Sequence, residues 1–326
     1  MSTFVIVHGA WHDGTLFAAT AACTLAHAQP VKMSIATGVD PSFSAFYLGK
    51  TQGIFEKNGL DVQLRTGPSG SAMVSFVVQN QIQAAFGAEQ AGIQNFNLDP
   101  NVVLVAEGTV MQDFYGLVAR NVPTMEALKG KKLGVSRGSG SEVFWNAIVK
   151  TLKLDPTQYK IVQVDPPEMV AALERGDIDA FTSWEPWLTR ATTVVPGTKI
   201  LQGQNGILTP SVYVYMNKGW VKSNPVASEK FIASLNEAND FIKRQPAAAA
   251  DAVSAYLKLD RQVTGMLMSK FHYDLHLSQS TVDSFVMVSD QLKASGKLAK
   301  PVEWNDFVHA DLLKTVSPSK VKYALP

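Results

Sequence analysis

Cysteine is nearly missing from the 326 residues. Cys23 stands alone, which excludes an intrachain disulfide and any cysteine cluster for zinc or iron–sulfur. Charge of either sign is also in short supply. Lys and Arg number 29 against 28 Asp and Glu, for a net charge of +1, and no run of like charges interrupts the chain. A protein built to hold a polyanion carries a basic excess or stripe, so nucleic acid is excluded as a partner. Long apolar runs are missing too: the stretch from Thr15 to Ala28 falls short of the about 20 residues a membrane-spanning helix needs. Histidine is sparse (His8, His12, His27, His272, His276, His309). His272 and His276 stand four apart on a possible helix, and without a third ligand nearby they read as a surface pair. No metal or cofactor site is expected. With 46% hydrophobic and 17% charged residues, the chain is globular and long enough for two medium domains or one large one.

What the chain does have is an alternation of short strands and helices. The stretch KKLGVSRGSGSEVFWNAIVKTL, from Lys131 to Leu152, reads as a strand, a Gly/Ser turn and an amphipathic helix from Glu142. Such a turn leaves free backbone N–H groups at the helix start, where the helix dipole favours a small anion or polar group. A second stretch repeats the design: a strand over 61–65, the turn Thr66-Gly67-Pro68-Ser69-Gly70-Ser71, and a helix over 72–79. Strands are predicted at 33–37, 60–64, 84–86, 102–108, 114–119, 132–135, 161–164, 178–181, 199–202 and 212–217, with helices between them. That alternation implies parallel sheets covered by helices. From Trp220 the chain reads as helical to the end, so the expected class is α/β with a helical C-terminal tail.

The first 28 residues carry two messages. Thr15–Ala28 (TLFAATAACTLAHA) ends in Ala26-His27-Ala28 before Gln29-Pro30, as the apolar core and cleavage site of a secretory signal peptide do, although no Lys or Arg precedes it. A lipid anchor at Cys23 would need a better lipobox than Thr20-Ala21-Ala22-Cys23. Ahead of this run, MSTFVIVHGAWHDG resembles the first strand and HG turn of α/β-hydrolases. A hydrolase would continue into a loop and helix, not an alanine-rich run, so the signal-peptide reading is preferred and a location outside the cytoplasmic membrane is expected.

Three segments carry a wider resemblance: AFYLGKTQGIFEKNGLDV from Ala45 to Val62, LKGKKLGV from Leu128 to Val135, and ERGDIDA from Glu174 to Ala180 followed by Trp184-Glu185-Pro186. Together they resemble the periplasmic substrate-binding proteins of ABC importers, in the branch serving nitrate, sulfonates, taurine and thiamine-precursor pyrimidines. The resemblance runs from about Met33 to Leu325. It implies a two-lobed type II periplasmic-binding fold hinged by two crossing strands, near Tyr115–Arg120 and Val212–Asn217. Lobe 1 would comprise residues 29–118 and 217–326, lobe 2 residues 119–216, and residues 1–28 the leader. The implied partners are a small organic anion or heterocycle and a membrane permease, with the protein acting as a monomer and without catalysis.

On this reading the ligand donors are Ser69, Gly70 and Ser71 in one lobe and Ser139, Gly140 and Ser141 in the other, although Ser is also an ordinary helix N-cap. Arg137, the only cation beside these turns, could pair with an anion. Glu142 is expected to point away from the ligand. Phe43, Trp184 and Trp187 are candidate apolar walls, against the ordinary fate of aromatics as core. Asp40, Glu89 and Glu185 at loop and strand ends would select a ligand amine or ring N–H, and with them a zwitterion or heterocycle. Gly87, Gln112 and one of Tyr213 and Tyr215 complete the candidate set.

An enzymatic reading competes. Gly134-Val135-Ser136-Arg137-Gly138 is G-x-S-x-G between a strand and a helix, so Ser136 could be the nucleophile of a serine esterase. Against it, Ser139-Gly140-Ser141 delay the helix, the HG turn lies far upstream, and no acid and late histidine occupy clear strand ends. A catalytic relative from the pyrimidine branch would need a histidine- and cysteine-rich site, for which the chain beyond residue 28 has no cysteine.

Overall fold

A computed structural model describes residues 29–326. The leader readings, including Cys23, His8 and the Ala26-His27-Ala28 site, lie outside the described residues. The chain lays down β1 (Val31–Thr37), β2 (Leu60–Thr66), β3 (Ala84–Gly87) and β4 (Val102–Met111). It then moves to a second sheet with β5 (Tyr115–Arg120), β6 (Lys132–Val135), β7 (Lys160–Gln163), β8 (Ala180–Trp184) and β9 (Thr198–Gly203). It returns with β10 (Ser211–Asn217), β11 (Phe271–Ser278) and β12 (Val321–Lys322). The sheet orders are β12-β11-β4-β10-β3-β1-β2 and β7-β6-β8-β5-β9.

In each sheet the strands that carry a ligand turn are parallel, β1 to β2 and β3 in one and β6 to β7 and β8 in the other. The returning strands run antiparallel, β10 between β3 and β4, and β5 between β8 and β9. Burial explains the patterns. β10 (SVYVYMN) is buried along its whole length and reads as a continuous apolar run, as a strand covered on both faces must. β2 (LDVQLRT) is a sheet edge and buries only Leu60 and Val62. Because parallel strands end on the same side, the turns after β1, β2 and β3 gather at one edge of the first sheet, where open α/β sheets hold their ligands.

Three expectations need correction. The tail is not all helix: between helices expected over 261–271 and 278–295 lies β11, whose alternating burial of Phe271, Tyr273, Leu275 and Leu277 has the period of a strand. His272 and His276 therefore sit on a strand and not a helix. The crossings between the sheets are not the strands β5 and β10, each of which belongs wholly to one sheet, but the segments 112–114 and 204–210. Residues 115–118 consequently fall with the second sheet and 211–216 with the first. The two crossings are stitched by one buried side chain. Gln204 Oε1 accepts from the N–H groups of Phe114 and Tyr115 (2.8 and 2.9 Å), and its Nε2 donates to Met111 O (2.9 Å).

Candidate functional site: a cleft with one carboxylate and no cation

The gathered turns close on a small cavity of about 50 Å³ between the two sheets, room for a few waters. The first lobe's walls are the 38–43 loop, the 67–70 turn, Met73, Gly87 and Ala88. The second lobe contributes Tyr115, Gly140, Pro167, Trp184 and Trp187. Of the expected site residues, Asp40, Phe43, Ser69, Gly70, Gly87, Gly140, Trp184 and Trp187 are brought together here. Ser71, Glu89, Gln112, Ser139, Ser141, Glu185 and Tyr213 are not among the lining residues.

The turns are built for close approach. Both begin their helices with a serine N-cap followed by glycine: Ser69 before Gly70–Val78, Ser139 before Gly140–Thr151. The second helix thus starts two residues earlier than the sequence suggested. A Cβ on Gly70 would lie 2.9 Å from Gly87 Cα, and one on Gly140 would lie 1.8 Å from the Tyr115 hydroxyl, so neither position admits a side chain without displacement. Across the lobes the two turns meet, because a Cβ on Gly138 would fall 2.8 Å from Ser71 Oγ.

The residues outside the cavity have found other partners. Ser141 Oγ donates to Thr182 O (2.6 Å) and accepts from the Ser136 N–H (3.1 Å), while its own N–H goes to Ser139 Oγ (3.2 Å). Ser139 Oγ in turn donates to Ser136 O (2.7 Å). The Ser139 and Ser141 hydroxyls are therefore spent on carbonyls of the turn itself and of β8. Glu185 accepts from the Thr189 N–H and hydroxyl (3.0 and 2.9 Å) at the start of the Trp187–Val194 helix. Burial raises its pKa against those hydrogen bonds. Gln112 and Arg137 are exposed.

Tyr213 and Tyr215, two apart on β10, share one face. Both reach the start of the Glu89–Leu98 helix, donating to the Glu89 carboxylate (2.8 Å) and to Ala88 O (3.0 Å). Glu142 does turn away from the cavity. It accepts from the Gly138 N–H (2.9 Å) and, across the lobe interface, from Gln90 and the Lys297 ammonium (2.6 Å). Burial would raise this carboxylate, but those donors outweigh it and hold it low.

What remains in the cavity is electrostatically one-sided. Among the described residues Asp40 is the only carboxylate that lines the cavity, and no Lys, Arg or His does. Asp40 is 3% exposed. Its Oδ1 accepts from the Ser42 N–H (2.9 Å) and Ser42 hydroxyl (2.5 Å). Burial raises its pKa to about 7 despite these donors and a weaker contribution from the Trp184 indole across the cleft. The loop that carries it is pinned at three carbonyls, Gly38 O by the Tyr47 hydroxyl (2.7 Å), Pro41 O by the Tyr273 hydroxyl (2.7 Å) and Ser42 O by Thr109 Oγ1 (2.9 Å). Sequence reasoning missed Tyr273 because its strand was taken for helix. Period-two alternation over FHYDLHLS was the signal that could have found it.

The nucleophile reading finds no machinery among the described residues. Ser136 is fully buried, and its Oγ donates to Asp165 (3.2 Å) with no described histidine among its partners. His276, on β11, faces Glu107 instead (3.3 Å). That hydrogen bond raises the imidazole's pKa. Burial pushes Glu107 up, but donors from His276, Ser211 and Thr281 more than offset it and leave it low. Among the described residues no group of three or more His, Cys, Asp and Glu could hold a metal ion, and no helix is long and apolar enough to cross a membrane.

Comparison with known proteins gives this geometry relatives. The chain is 28% identical over 277 residues to a Brucella abortus protein named only as a binding protein, covering 81% of this chain and 85% of that one. It is 26% identical over 248 residues to a Bacillus subtilis protein named for binding aliphatic sulfonates, covering 70% and 71%. Its fold superposes on the alkanesulfonate-binding protein of Xanthomonas axonopodis pv. citri, bound to MOPS, with a TM-score of 0.75 at 16% identity, over 87% of this chain and 99% of that one. The two-lobed α/β architecture is thus that of the periplasmic binding proteins. A family profile described as NMT1-like matches residues 43–257, and the chain belongs to the NMT1-like family.

Proposed function

We propose that this protein is the extracytoplasmic solute-binding component of an ABC importer, that it captures its ligand between the lobes without catalysis, and that it hands the ligand to a membrane permease. The family membership and the cleft at the strand ends support the reading. We further propose that the ligand is not a bare anion. The observation that carries this is the lining of the cleft, with the Asp40 carboxylate present and lysine, arginine and histidine absent. A nitrate or simple alkanesulfonate would have only backbone N–H groups and helix dipoles on its side and would lie beside a carboxylate. A ligand with an amine or ring N–H adds a donor to those Asp40 has from Ser42 and Trp184 and offsets the cost of burying the carboxylate. Trp184, Trp187 and Phe43 then supply faces for a planar ring or a short apolar body. The class is a zwitterion or a nitrogen heterocycle.

The cavity of about 50 Å³ is too small for entry as it stands, so loading requires the lobes to part about the 112–114 and 204–210 crossings. A thermal-shift screen of the purified protein tests the proposal, because a ligand that binds only the folded state raises the melting temperature by mass action. Aminopyrimidines or taurine should stabilise it and methanesulfonate and nitrate should not. Stabilisation by the simple anions alone would refute the ligand class. Turnover of a p-nitrophenyl ester that disappears in Ser136→Ala would refute the binding-protein reading itself.

A further inference from the structure

A second cavity, of about 340 Å³, lies beside the cleft and is separated from it by Ala88, Tyr115 and Gly140, which wall both. Three structural parts enclose it: the Gly140–Thr151 helix of the second lobe, the 207–210 stretch of the hinge crossing, and the Gln279–Ala294 helix of the first lobe. Most of the walls are apolar, including Val143, Ala147, Leu208 and Val288. One acid is built into them. Glu89 is 8% exposed, and its Oε1 accepts from the Tyr213 hydroxyl (2.8 Å) and Ser284 Oγ (2.7 Å). Its own backbone N–H is a further donor, and among the described residues no Lys, Arg or His pairs with the carboxylate, which lines the cavity.

A carboxyl oriented by two hydroxyls in a mostly apolar chamber, with no cation paired to it among the described residues, is a half-made ion pair. Burial raises its pKa, which is the cost of leaving it without a cation. We propose that this cavity is a second ligand site, distinct from the Asp40 cleft, that takes a small primary amine with an aliphatic body, its ammonium on the Glu89 carboxylate and its chain against Val143, Ala147 and Leu208. Lys150 at the mouth disfavours a second positive charge on the ligand. Because both lobes and the hinge wall the site, an occupant bridges them.

The test uses n-hexylamine, hexan-1-ol and hexanoate as probes, in calorimetric titrations of the full protein. Hexylamine should bind the wild type at least tenfold more tightly than hexan-1-ol, and hexanoate should bind weakest. Glu89→Gln should weaken hexylamine at least tenfold and leave hexan-1-ol unchanged, while Asp40→Asn should leave hexylamine within twofold. Val143→Trp, which fills the chamber from the other lobe without touching Glu89, should abolish binding and serves as the deciding variant if Glu89→Gln does not fold. No hexylamine binding to the wild type, undiminished binding in Glu89→Gln or Val143→Trp, alcohol binding as tight as the amine's, or loss in Asp40→Asn instead would each overturn the proposal.

Discussion

The two lobes contribute unlike things to the cleft. The first lobe brings the one carboxylate, Asp40, on a loop held at three carbonyls by Tyr47, Tyr273 and Thr109, together with Ser42 and the open 67–70 turn. The second lobe brings aromatic and apolar surface, Trp184, Trp187, Pro167 and Tyr115, around a turn whose Ser139 and Ser141 hydroxyls are spent on backbone carbonyls. A sequence reader sees two similar Gly/Ser turns and expects two similar half-sites. The difference teaches that similar turns can do different work: the first is free to meet a ligand, and the second is a rigid frame that sets the indoles in place. Selectivity for polar groups then resides in the first lobe, and the second closes over what has been selected.

The largest effect that could break this division is at Asp40. Removing the charged partner of a buried hydrogen-bonded pair typically costs about 2–5 kcal/mol, so Asp40→Asn should weaken an N–H-bearing ligand by roughly 30-fold or more in calorimetry. The same group makes an opposite, ligand-free signature. Its carboxyl rises from 3.8 unfolded to about 7 folded. The native state therefore holds the proton longer, and stability falls as pH rises between about 4 and 7. The full span is roughly 4 kcal/mol at 1.36 kcal/mol per pKa unit. Denaturant melts of the empty protein should lose stability over that window, and Asp40→Asn should reduce the loss, leaving the share of the Glu89 and Glu185 carboxyls that burial also raises. A wild-type profile without it would show that Asp40 is not the buried acid described.

The second lobe's part is tested next. Trp184→Ala should cost a planar ligand about 1–2 kcal/mol and a small aliphatic one less, since the face of the ring is what it removes. Equal losses for both would mean that the indole acts only as structure. For the second turn the expectation is reversed: Ser141→Ala should lower stability by about 1–2 kcal/mol, because the Ser136 N–H loses its buried acceptor, and should leave ligand affinity unchanged. A drop in affinity without a drop in melting temperature would return Ser141 to the binding site. The smallest effect is Glu185→Gln, expected below about 0.5 kcal/mol in affinity, because that carboxylate is spent on Thr189.

Much of the architecture was legible. Each of the ten predicted strands corresponds to a strand of the structure, because apolar runs between glycine and serine turns are a local signal. The turns after the second and sixth strands were found for the same reason. β11 was missed because the His272–His276 spacing suggested a helix and its period-two alternation was passed over; its pairing with β4 is a long-range fact. The hinge was displaced by a few residues because which sheet a strand joins is a long-range fact. Asp40 was legible as a loop acid at a strand end, but its isolation was not. That required knowing that Arg137 lies exposed and that Lys297 is committed to Glu142. Glu89 and Glu185 looked equivalent to Asp40 in sequence. Their partners, Tyr213 with Ser284 and Thr189, separate them only once the chain is folded.

The central claim is that a single carboxylate in a cleft without cations chooses the ligand. Calorimetric titration of wild type and Asp40→Asn at pH 8 with 4-aminopyrimidine and with methanesulfonate tests it most directly. The account expects the wild type to bind the aminopyrimidine and not methanesulfonate, with Asp40→Asn losing most of the first affinity and gaining little of the second. Tight methanesulfonate binding by the wild type, or an Asp40→Asn protein that binds the aminopyrimidine undiminished, would contradict it.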